Sequence, residues 1–144
     1  MKALFTLMAV IVLAGFGCQK GPISTTPPPQ PPINGVPPSP IETDKVKVAQ
    51  PIPGDLVSSP VKVKGEARGN WYFEASFPIQ VLDANGKEIG IGIAQAQGEW
   101  MTTEFVPFDV DITFTVPTTS TGSIVLVKDN PSGLPEFDDQ VVVP

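Results

Sequence analysis

Asp109 and Asp111 stand two residues apart in Phe108-Asp-Val-Asp-Ile112. Two carboxylates on one strand face could divide general-acid and general-base work between them. A plainer reading is that acids alternating with apolar residues keep the wet face of a strand soluble. A second acidic group comprises Asp129, Asn130, Glu136, Asp138 and Asp139. It gathers oxygen ligands of the kind calcium takes in sets of about six to eight. Asp129, Asp138 and Asp139 are the calcium candidates, yet their spacing fits no EF-hand, and a solvated acidic loop explains them as simply. Asp83-Ala84-Asn85-Gly86 begins like a calcium loop but has the composition of a hairpin turn. Tyr72 and Trp100 are the aromatics that could stack on a sugar, with Tyr72 on the side expected to be wet. The chain has no histidine and one cysteine, so the usual nucleophile–base pairs are absent. We therefore expect a protein that is not an enzyme, with no cofactor and no metal site.

The formal net charge is −6. A nucleic-acid backbone calls for clustered Lys and Arg, so this charge excludes it as a partner. It equally disfavours electrostatic adhesion to an anionic lipid surface. The lone cysteine, Cys18, rules out a disulfide within the chain.

Cys18 has a context of its own. Met1-Lys2 is a short positive start, Ala3 to Ala14 is apolar except for Thr6, and Gly15 and Gly17 follow. These are the parts of a secretory leader, here residues 1–17. The apolar core is too short for the roughly twenty residues that span a bilayer. Leu13-Ala14-Gly15-Phe16-Gly17-Cys18 resembles a bacterial lipobox. That resemblance implies a diacylglycerol on the Cys18 sulfur and cleavage just before it. The implied partner is a bacterial membrane, held through lipidated Cys18, with the rest of the chain outside the cytoplasm. Two or three acyl chains, at about 0.8 kcal/mol per buried CH₂, anchor a protein stably where one does so only marginally.

Residues 18–44 read as a tether. Nine of the chain's eighteen prolines fall between Pro22 and Pro40. Proline fixes φ and removes backbone donors, so helix and ladder are both excluded and polyproline II is the expected local state. From Cys18 to Ile41 the reach is roughly 70 Å when fully extended. Composition favours a stand-off spacer over a ligand for a proline-reading domain, because no basic specificity residue flanks the prolines.

Residues 45–144 must position whatever chemistry the chain has. Phe108, Val110, Ile112, Phe114 and Val116 alternate with Asp109, Asp111, Thr113 and Thr115. Strict period two predicts a strand with one dry and one wet face. Lys45–Ala49 predicts a short edge strand, and Val61–Ala67 a cleanly alternating one. A long alternation from Trp71 to Val81 directs Trp71, Phe73, Ala75, Phe77, Ile79 and Val81 to the dry side, with Pro78 at an edge or a bulge. A three-residue loop, Ala84-Asn85-Gly86, with Gly86 left-handed, would pair Val81 with Ile89, Ile79 with Ile91 and Phe77 with Ile93. Ser123–Lys128 is a continuous β-branched run, expected in mid-sheet, and Val141–Val143 closes the chain. Seven or so short strands with turn signals about every ten residues predict an all-β sandwich. Trp71, Phe73, Phe77, Phe108 and Phe114 are the expected filling.

Several of these motifs also resemble a known family. They are Ser59-Pro60-Val61-x-Val63-x-Gly65-x-Ala67, Trp71-x-Phe73-Glu74-Ala75-x-Phe77, Asp83-x-Asn85-Gly86, Gly98-Glu99-Trp100 and Asp129-Asn130-Pro131-Ser132-Gly133. In this order they are similar to the immunoglobulin-like domain of bacterial spore germination (the Gmad-two family), over about residues 51 to 144. The resemblance implies an immunoglobulin-like sandwich on an exported lipoprotein. The implied role is interaction with a protein or an envelope polymer, and the family lends no catalytic residues.

Overall fold

The computed structural model describes residues 38–144. The leader, Cys18 and most of the tether lie outside the described residues. Eight strands follow in order: β1 (Ile41–Glu42), β2 (Val46–Gln50), β3 (Val61–Arg68), β4 (Ser76–Asp83), β5 (Glu88–Gln95), β6 (Phe105–Ile112), β7 (Gly122–Val127) and β8 (Gln140–Val143). They form two antiparallel sheets with strand orders β1-β2-β3-β6 and β5-β4-β7-β8. Among the described residues there is no α-helix, and two short 3₁₀ turns cover Gly69–Trp71 and Pro135–Phe137. The all-β sandwich expected from period two is therefore the fold. The added strand, β1, lies inside the stretch read as tether and pairs Ile41 with Val48, so β2 is not an edge strand.

Alternation decides which side chains fill the space between the sheets. Val61, Val63 and Ala67 of β3, Val106, Phe108 and Ile112 of β6, Phe77, Ile79 and Val81 of β4, and Ile124 and Leu126 of β7 are all buried. Phe77 sits at the centre, its ring edge-on to Tyr72 at 5.0 Å and to Phe108 at 5.1 Å between centroids. Each such ring contributes about 1.5–3 kcal/mol by leaving water. β7 is the mid-sheet strand its unbroken apolar run predicts, flanked by β4 and β8.

The stretch from Trp71 to Val81 departs from one continuous strand. Trp71 ends the first 3₁₀ turn, and Phe73 bridges Ser76 through a two-residue reversal at Glu74-Ala75. Both reversal residues have positive φ, 49° and 63°. The chain thus turns where uninterrupted alternation was expected, and the faces change. Trp71 and Tyr72 are both buried, whereas Phe73 is exposed and drops out of the core. From Phe77 onward the expected faces hold. Pro78 lies in a central strand, not at an edge, but the β4–β7 ladder starts only at Ile79, so its missing donor breaks no pair there.

The β4–β5 register is also corrected. The loop is as predicted, with Gly86 at φ 76° and Asp83 N–H donating to the Lys87 carbonyl. Leu82 pairs with Glu88, but Val81 then pairs with Gly90, Ile79 with Gly92 and Phe77 with Ala94. Ile89 is extruded as a bulge, which shifts every later pair by one. The cause lies across the sandwich. A Cβ on Gly90 would stand 2.6 Å from Phe114 Cβ, and one on Gly92 would stand 2.6 Å from Ile112 Cγ1. The β6 chain comes this close because it is stitched to β5: Gln97 N–H donates to the Pro107 carbonyl and Thr115 N–H to the Ile89 carbonyl. Side chains from β6 and the segment after it occupy the volume Ile91 and Ile93 would have needed, so glycines face inward and the isoleucines face out. The strand predicted to run to Val116 ends at Ile112, and Val116 is exposed.

Candidate functional site

The carboxylates singled out in the sequence are held in ion pairs. Strand β3 presents Lys62 and Lys64 beside Asp109 and Asp111 of β6, as the Lys62–Asp111 and Lys64–Asp109 register dictates. Lys62 Nζ lies 3.1 Å from Asp109 and 2.9 Å from Asp111, and Lys64 Nζ lies 2.9 Å from Asp109. Hydrogen bonds from Lys64 and then Lys62 hold the Asp109 carboxyl below its ordinary range. A general acid needs the opposite shift. Beside this ladder, Phe105 packs under Lys47 and Arg68, 4.2 and 4.0 Å from its ring centre. The outer face of the first sheet is thus a charged ladder that neutralises itself.

The acidic loop is not assembled around a common point. Lys45 takes Asp139 in a short ion pair, and that contact raises the Lys45 pKa. Asp138 accepts from the Asn130 amide at 2.8 Å, and the same amide donates to the Leu134 carbonyl at 2.9 Å. Among the described residues no three His, Cys, Asp or Glu side chains group as a metal site. Asp83 belongs to the turn: its buried carboxylate accepts from the N–H groups of Asn85 and Lys87. Tyr72, expected on a wet face, is 4% exposed and donates its hydroxyl to the Val106 carbonyl at 2.8 Å. It is core, and no sugar can stack on it. Trp100 is half-buried against the core cluster.

A different feature emerges at one pole of the sandwich. The loop after β2 and the connection between β6 and β7 enclose a groove of about 290 Å³. Ile52, Leu56, Val57, Phe114 and Pro117 give it apolar walls, and no Lys or Arg lines it. Leu56 is fully exposed at the rim, Val57 is nearly half exposed, and Val116 next to Pro117 is 92% exposed. The walls are pinned. Gly54 N–H donates to the Pro144 carbonyl, Phe114 N–H to Ser59 Oγ, and Ala84 N–H to Thr119 Oγ1. A largely preformed apolar concavity with backbone polar groups at its margin is the ordinary form of a binding site. Sequence reasoning passed over it because it joins a segment read as a loop, Pro51 to Val57, to Phe114, which was expected inside the sandwich, and to the turn after Pro117. The available signal was Leu56, Val57 and Val116, apolar residues with no strand partner.

The order of strands and motifs can now be set against known proteins. A family model described as the immunoglobulin-like domain of bacterial spore germination matches residues 45–134. The chain belongs to that family. The match runs from the turn before β2 to the loop after β7, so this spore-germination immunoglobulin-like domain carries β1 and β8 beyond the matched span. Most of the groove lies within the span, while Val143 and Pro144 complete its wall from outside it. No curated protein and no solved structure matches the chain.

Proposed function

We propose that this spore-germination immunoglobulin-like domain is a non-catalytic binding module. It is carried outside the cytoplasm on lipidated Cys18 and holds a protein or envelope polymer through the apolar groove at the pole of the sandwich. The supporting observation is the exposed trio Leu56, Val57 and Val116 around a pinned apolar concavity. A fold that leaves large apolar side chains at a loop rim commonly uses them for contact. The absence of cationic side chains from the groove favours an uncharged, apolar-faced partner segment over an anionic one. Membership of a family described by spore germination supports a germination-related role for the module.

Two measurements test this. A photo-reactive amino acid at position 56 in cells should give one defined adduct, and the same probe at position 64, on the charged ladder, none. No adduct at position 56 favours a purely structural envelope module. Separately, Cys18→Ser should move the protein from the membrane to the soluble fraction, and the mature N-terminus should carry the mass of two or three acyl chains. An unmodified Cys18 ends the anchored form of the proposal.

A further inference from the structure

An open sheet leaves a row of backbone donors and acceptors without partners along each edge strand. Here the edges are β1 and β6 in one sheet and β5 and β8 in the other. β5 and β6 are joined to each other: Gln97 N–H donates to the Pro107 carbonyl and Thr115 N–H to the Ile89 carbonyl. β1 is only Ile41–Glu42, and it follows Pro38 and Pro40, which have no N–H to give. β8, Gln140–Val143, is protected by none of the usual devices: it carries no charge, no proline and no bulge.

The ladder shows which groups β8 leaves open. Lys128 N–H donates to the Asp139 carbonyl, so the bonded pairs with β7 continue as Leu126 with Val141 and Ile124 with Val143. Gln140 and Val142 therefore turn their backbone groups away from β7. The Gln140 N–H is taken by Asp139 Oδ1 at 2.9 Å. Just past the strand, the Pro144 carbonyl accepts from Gly54 N–H at 3.0 Å. Between these two, the Val142 N–H and carbonyl and the Gln140 carbonyl have no partner among the described residues. The Val142 side chain is 43% exposed, so the edge is open to a neighbour.

We propose that the free edge of β8 receives an extended segment of a partner polypeptide, which adds a strand to the β5-β4-β7-β8 sheet. The open groups have the spacing of a peptide backbone. In an antiparallel addition, a residue opposite Val142 exchanges both bonds with it, and the residue two further on donates to the Gln140 carbonyl. A glycan offers no such alternation of donor and acceptor. The residue opposite Val142 lies beside its half-exposed side chain on the outer face of the sheet, so an apolar or β-branched side chain fits there. A second copy of the chain does not fit. Two-fold pairing of β8 about Val142 would set Gln140 of a second copy against the Pro144 carbonyl, where Gly54 already donates. The added strand is short, so binding by the edge alone is weak. It depends on neither the lipid anchor nor the groove.

The test uses the purified full chain and one probe, the capped peptide Lys-Thr-Ile-Thr-Ile-Thr-Lys, with amide hydrogen exchange read by nuclear magnetic resonance. Millimolar peptide should slow exchange of the Val142 N–H at least tenfold. The same peptide N-methylated at every residue keeps its side chains but has no donors, and should slow nothing. Val142→Pro deletes only an outward N–H, so the variant should keep its far-ultraviolet circular dichroism and bind the peptide at least tenfold more weakly. Val141→Pro, whose N–H belongs to the β7 ladder, should lower the Tm. An unslowed Val142 N–H at millimolar peptide, or equal slowing by the methylated peptide, overturns the proposal. So does Val142→Pro if it unfolds the domain, since the N–H would then not point outward, or if it leaves binding intact. Protection of Val142 that grows with protein concentration in the absence of peptide would mean a second copy occupies the edge. Protection already present in the dilute chain would mean the edge is not free. Either result overturns the proposal.

Discussion

Gly92 lies against Ile112 so closely that a Cβ on the glycine would stand 2.6 Å from Ile112 Cγ1. The contact joins an edge strand of one sheet to an edge strand of the other, and it selects the β4–β5 register. Gly92→Val should therefore destabilise the domain by about 1–3 kcal/mol, the usual cost of overpacking. Ile91→Thr, one residue away on the outer face, should stay within about 0.5 kcal/mol. Urea midpoints for the two variants decide the matter. A larger loss at position 91 would mean the isoleucines point inward after all.

Tyr72 replaces an expected surface aromatic with a buried hydrogen bond. Burial pushes its hydroxyl pKa well above the ordinary value of 10. The neutral phenol is thus favoured in the folded state, and its contribution is complete below the unfolded pKa near 10 and falls as pH rises beyond it. Tyr72→Phe should cost about 1 kcal/mol at neutral pH, since the Val106 carbonyl loses its donor. The variant should also lose less stability between about pH 10 and 12 than the parent chain does. Thermal melts across that range report both effects, and parallel curves would contradict the second.

Glu74 and Ala75 hold left-handed backbone without glycine or asparagine. The reciprocal bonds between Phe73 and Ser76, at 3.0 Å each, close a two-residue hairpin whose central residues both have positive φ. Asn-Gly is the pair that adopts this conformation most easily. Glu74→Asn with Ala75→Gly should stabilise the domain by about 1 kcal/mol, the strain released from two such residues less the added chain entropy. A rise in Tm is the expected result, and a fall would show that the Glu74 side chain matters more than the backbone.

Asp109 should govern part of the acid response. Lys64 and Lys62 hold its folded pKa below the unfolded one, so its contribution is present above about pH 4 and is lost as pH falls through the lower folded value. Asp109→Asn should flatten the fall in Tm between about pH 4 and 2. Because the group is solvent-exposed, about 0.5 M salt should shrink the difference between the two proteins. A difference that persists undiminished in salt would argue against ion pairing as its source.

The strands legible in the sequence were those whose partners only had to be present. Val61–Ala67, Phe108–Ile112 and Phe77–Val81 each carry a pattern that works against any apolar layer, and each is a strand with the expected face inward, while the unbroken run Ser123–Val127 lies in the mid-sheet strand it predicts. Gly86 was legible because a turn depends on its own φ and on neighbours three residues away.

What the sequence determined by itself was local: the β class, the alternating faces, the hairpin turn and the membership of the family that those motifs spell. What only the tertiary structure decided was set by residues far along the chain. Ile89 bulges because β6 lies where β5 side chains would go, and Tyr72 is buried because a reversal at Glu74-Ala75 folds it under Val106. The groove exists because the segments around Leu56 and Pro117, some sixty residues apart, close over the same pole. Period two states which side of a strand must be dry; it carries no information about how near the opposing sheet will come.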